Sequence, residues 1–127
     1  MKYGLSEETY DKIKKVISNN TKYHFLLFGS RARGNYKKTS DIDIAIVGNL
    51  TSAEKYKIMN EMDLLDIIYK IDLVFIDEIT NSKLLESINR DGVEFWIILK
   101  HGLPTQSIFY NVKISIFYSK IFSNINL

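Results

Sequence analysis

Two aspartates interrupt an apolar run that reads DIDIAIV over residues 41–47. On a strand, side chains two apart point the same way, so Asp41 and Asp43 share a face with Ala45 while Ile42, Ile44 and Ile46 fill the other. Two anions at this spacing repel each other, and both stay ionised in a partly buried site only beside cations. Paired hard oxygen donors suit Mg²⁺, which takes one or two protein carboxylates together with substrate phosphates. An Asp-x-Asp pair alone also fits the solvent-exposed start of a strand. Asp72 weighs against that plainer reading, since it sits near the start of a second apolar strand, KIDLVFID, opposite its branched neighbours. Beside the first strand, Asp72 would complete a three-carboxylate cluster. That cluster could bind two metals, or bind one and leave Asp72 partly free to take a proton.

Ahead of the aspartates stands FGSRARG, residues 28–34. It leaves one strand and needs a tight turn before the next element. Gly29 permits close backbone approach, and Ser30 can open a short helix and offer its hydroxyl. Backbone N–H groups at such a helix start suit phosphate oxygens, and Arg31 and Arg33 could add planar donors to a triphosphate. Gly29 and Gly34 have the outer spacing of a P-loop, but Asn35 and Tyr36 stand where that motif needs Lys and Ser or Thr. A phosphate site here must therefore work with metal-bound carboxylates. Ten residues separate Ser30 from Asp41.

These residues need strands to hold them, and the pattern supplies four. Ser6 caps a helix with Glu7 and Glu8 in its first turn and Tyr10, Ile13, Val16 and Ile17 on its apolar side. Strands are expected over residues 22–28, 41–47, 70–77 and 93–99. A helix from Thr51 or Ser52 carries Tyr56, Met59, Met62, Leu65 and Ile68 as an apolar stripe, and Asn81 or Ser82 caps a last helix ending at Gly92, a helix C′ position. The order is α-β-turn-β-α-β-α-β, an α/β (α+β) layer pair. Residues 1–100 form the domain. Residues 101–127 are an apolar C-terminal extension read as a helix, with contact to another chain as one use for it. His24, Phe95 and Trp96 read as core or edge residues, and His101 as a loop residue.

The totals narrow the function. The chain has 127 residues, 46% hydrophobic and 25% charged, the composition of an ordinary globular domain. A net charge of +2 argues against direct nucleic-acid binding, although Arg31, Arg33, Lys37 and Lys38 crowd into eight residues. With no cysteine, disulfides and thiolate metal sites are excluded. Neither a signal peptide nor a membrane span is read, which points to the cytoplasm. One domain of this size cannot enclose a nucleotide alone, so another protein is expected to complete the site.

The combination FGSRARG and SDIDIAIV resembles the signature of the polymerase-β-like nucleotidyltransferase superfamily, Gly-Ser followed by Asp-x-Asp on the next strand. The layout over residues 5–99 is similar to the minimal nucleotidyltransferases (MNT), including antitoxins encoded beside HEPN-domain toxins. The resemblance implies a mixed four-stranded sheet with helices packed on it. It implies that Gly29 and Ser30 hold nucleotide phosphates, with Arg31 and Arg33 beside them. It makes Asp41, Asp43 and Asp72 the catalytic carboxylates and the ligands of two Mg²⁺ ions. It also implies transfer of AMP from ATP to a tyrosine hydroxyl of a HEPN toxin, in a complex with that toxin. Two alternatives stay open: a subunit that masks its partner without chemistry, and an enzyme acting on a small molecule or RNA with a separate substrate-binding subunit.

Overall fold

Local chemistry starts each long helix where the sequence places it. In the computed structural model, which describes residues 2–95, α1 runs Glu7–Ser18, and the Ser6 hydroxyl accepts from the Thr9 N–H at 3.1 Å. Helix α3, Ser52–Asp63, begins with a reciprocal cap: Thr51 Oγ1 accepts from Glu54 N–H, and Glu54 Oε1 accepts from Thr51 N–H. Asn81 accepts from Lys83 and Leu84 N–H groups at the start of α4, Ser82–Asp91. Gly92 ends α4, but in extended backbone rather than the left-handed form of a C′ glycine (φ −63°, ψ 132°).

The strands are β1 His24–Phe28, β2 Ile42–Val47, β3 Ile71–Phe75 and β4 Val93–Glu94. A short helix α2, Gly29–Arg33, follows β1 directly, and a 3₁₀ turn, Ile76–Glu78, follows β3. They form one sheet in the order β3-β2-β1-β4. β1 lies antiparallel to both β2 and β4, and β2 lies parallel to β3, with α3 in the crossover that a parallel pair requires. The expected strand over 93–99 and the extension over 101–127 extend beyond, or lie wholly outside, the described residues.

Both faces of the sheet are covered, which corrects the expected layer pair to three layers. Ile42, Ile44 and Ile46, with Phe25 and Leu27, pack on Ile13 and Ile17 of α1 and Ile58 and Met62 of α3. Leu26, Phe28, Ala45 and Val47 pack on Leu85 and Ile88 of α4 and on Ile76 and Ile79. The unbroken run from Ile44 to Val47 is the sequence correlate, because a strand covered on both faces does not alternate. No helix among the described residues is long and apolar enough to cross a membrane.

The expected stripe on α3 holds at Met62 and in part at Leu65, and is corrected at Tyr56, Met59 and Ile68. Ile58 and Met62 face the core, whereas Tyr56 is 68% exposed and Ile68, beyond the helix end, is 91% exposed. Three residues advance a helix by about 300°, so steps of three drift by about 60° each and leave the buried face. The pair four apart stays on it. Met62→Ala should therefore cost about 2–5 kcal/mol, while Tyr56→Ser should stay within about 0.5 kcal/mol of wild type. Urea unfolding of the two variants checks this.

Candidate active site

At the end of β1 the chain must turn without a side chain. Gly29 has φ +74°, in the left-handed region, and a Cβ there would overlap Oδ2 of Asp43. The carboxylate thus lies against the backbone at the start of α2. Gly34, at φ +90°, closes the short helix, its N–H bonded to the Ser30 carbonyl at 2.9 Å.

Strand register lines up the rest. Phe28 pairs with Asp43 across the antiparallel β1–β2 ladder, and Asp43 pairs with Asp72 across the parallel β2–β3 ladder. The Gly29 turn, Asp43 and Asp72 therefore lie in a row across three strands. Asp41 stands one residue ahead of β2, where the Ile42 N–H donates to the Lys70 carbonyl at 2.9 Å. All three aspartates are partly exposed, so the row lies at an accessible end of the sheet.

Their proximity has an electrostatic consequence. Burial pushes the Asp43 carboxyl above its ordinary range, and the negative charges of Asp72 and Asp41 push it further, while Arg33 opposes them. Asp72 is met by Lys70 Nζ at 3.3 Å, with its side chain 40% exposed. Arg33 Nη1 lies 3.4 Å from Oδ2 of Asp91, whose own carboxyl is held below its usual range chiefly by Arg90, with help from Arg33. Lys70 and Asp91 escaped the sequence reading. Lys70 is two residues from Asp72 and so findable by strand spacing, but Asp91 is 58 residues from Arg33 and has no local signal.

Among the described residues, no three carboxylate or imidazole side chains stand in an arrangement that closes on a metal. The donor set nonetheless fits a hard divalent cation: it is all oxygen, and three carboxylates share one end of the sheet.

Arg31 departs from its expected role. It is 1% exposed, and its guanidinium donates to the main-chain carbonyls of Tyr3, Lys38 and Ser40. Those bonds leave it enclosed rather than presented to a triphosphate. Arg33, more exposed and electrostatically coupled to Asp43, is the arginine that faces this end of the sheet.

The family model for polymerase beta nucleotidyltransferases matches residues 11–97, which takes in the greater part of α1, the Gly29 turn and all three aspartates. The chain belongs to this nucleotidyltransferase family. No curated protein matches it in sequence. Its fold is similar to that of three solved toxin–antitoxin structures. One, containing AMP-PNP, has a TM-score of 0.56 at 22% identity, covering 93% of this chain and 98% of that one. A complex of a tri-AMPylated Shewanella oneidensis HEPN toxin with an MNT antitoxin gives 0.54 at 20% identity, covering 97% and 100%. An MntA–HepT pair gives 0.52 at 20% identity, covering 96% and 100%.

The raised Asp43 carboxyl has a consequence for stability. The folded state holds this proton more tightly than the unfolded chain, so folding loses ground as pH rises from the ordinary value of 3.8 toward the raised one. In chelator at neutral pH, Asp43→Asn should melt above wild type. The gap should close as pH falls toward 3.8, and thermal melts across that range measure it.

Proposed function

We propose that this protein is an MNT-type antitoxin that transfers AMP from ATP to a tyrosine hydroxyl of a cognate HEPN toxin and thereby neutralises it. The observation that carries the reading is the row formed by the Gly29 turn, Asp43 and Asp72 across three strands. Family membership supports nucleotidyl transfer. The similarity to an AMP-PNP-containing toxin–antitoxin structure and to a complex with a tri-AMPylated HEPN toxin supports the nucleotide and the acceptor.

The toxin's tyrosine oxygen forms a bond to the α-phosphorus of ATP, and the bond from that phosphorus to the bridging oxygen breaks to release pyrophosphate. A tyrosine hydroxyl with an ordinary pKa near 10 needs a base at neutral pH. Asp72, partly exposed on the edge strand beside Lys70, is the candidate. Asp41, Asp43 and Asp72 would hold two Mg²⁺ ions, which when bound stabilise both the attacking and the leaving oxygen of an in-line displacement. Gly29 and Ser30 bring backbone to the polyphosphate, and Arg33 balances charge gathering on the pyrophosphate. Asp91 steadies Arg33 for that task.

Incubated with ATP, Mg²⁺ and its toxin, the protein should add mass to the toxin in steps of one AMP residue. Asp43→Asn should slow this by at least about 100-fold, the scale of losing one transition-state stabilising group. Intact-mass spectrometry reads both. A tight complex without added mass would support masking instead.

A further inference from the structure

Arg31 is the largest side chain buried to this degree among the described residues, and nothing in the transfer reaction uses it. Its Nε and Nη2 both reach the Ser40 carbonyl, at 3.1 and 2.8 Å. Nη2 also reaches the Lys38 carbonyl at 3.4 Å, and Nη1 reaches the Tyr3 carbonyl at 3.0 Å. The guanidinium carbon lies 4.6 Å from the centre of the Tyr69 ring and 5.2 Å from that of Tyr36. A buried cation is costly unless hydrogen bonds and aromatic faces replace its water. Here they do, and every group that meets it belongs to a connecting segment rather than to a core helix or strand.

Those segments lead to the site. Ser40 immediately precedes Asp41, Tyr69 lies three residues before Asp72, and Arg31 itself sits on the helix that begins at Gly29. We infer that Arg31 is a positioning residue that ties the approaches to Asp41 and Asp72 to the Gly29 turn, so that one guanidinium fork sets the spacing of the carboxylates. This rests on the proposed transfer site. The planar fork matters: a lysine keeps the charge but is a single point with no fixed pair of donors for the Ser40 carbonyl.

The test compares wild type with Arg31→Lys by hydrogen exchange and by Mn²⁺ affinity in the presence of AMP-PNP. Protection should fall over residues 38–42 and 69–72 while α1 and β1 keep theirs. Mn²⁺ affinity should fall about 10–100-fold, as when a group behind a metal ligand is lost. Uniform loss of protection, or affinity within about twofold of wild type, a small fraction of that loss, overturns the inference. Should Arg31→Lys not fold, Tyr69→Leu, which leaves the hydrogen bonds and removes one stacked ring, is judged by the same two readouts. If wild type itself binds no Mn²⁺, the metal assignment has failed instead. The exchange pattern alone then decides whether Arg31 fixes these segments.

Discussion

The carboxylate of Asp43 lies where a side chain on residue 29 would be, and much of this domain is arranged around that contact. It requires glycine at the end of β1, in a left-handed conformation that costs other L-residues about 1–2 kcal/mol. It also requires β2 to run antiparallel to β1 with Phe28 opposite Asp43, since a slip of one residue would turn the carboxylate to the opposite face. The apolar layers hold that register. Ile42, Ile44 and Ile46 are fully buried beneath α1 and α3, and Ala45 and Val47 are buried beneath α4. A shift would bury Asp43 in the first layer without a partner.

The cost of the arrangement is electrostatic. Partial burial and two neighbouring acids disfavour the ionised form of Asp43, and Arg33 offsets this only in part. A protein gains nothing in stability from such a group. Groups destabilised in this way cluster at functional sites, and this one lies within the segment that matches the nucleotidyltransferase family. The flanking ion pairs, Lys70 with Asp72 and Arg33 with Asp91, restrain side chains at the rim while leaving them partly open to solvent.

What was legible in the sequence was local. Ser6, Thr51 and Asn81 announce helix starts because a cap is made within three residues, and Asp-x-Asp announces a shared face because strand geometry has period two. The α3 stripe is right at Met62 but misses Ile58, because spacing by three resembles a helix face without following one, and only packing selects Ile58. Arg31 was misread for a different reason. In a Gly-Ser turn an arginine suggests a phosphate ligand, but its partners are main-chain carbonyls as far away as Tyr3, 28 residues earlier. Carbonyls carry no residue type, so the sequence offers no sign of them. Coverage of both sheet faces is visible in the apolar run of β2, although Asp41 and Asp43 at its start alternate with isoleucines.

We propose that Asp41, Asp43 and Asp72, which strand register and the close approach of Asp43 to Gly29 bring to one end of the sheet, meet a cation together there. Titration of Mn²⁺ into the isotopically labelled protein, followed by amide line broadening, tests this most directly. The resonances of Ser30, Asp41, Asp43 and Asp72 should broaden first and together, with those of α1 unaffected. Broadening centred elsewhere, or on Asp72 without Asp43, would contradict it.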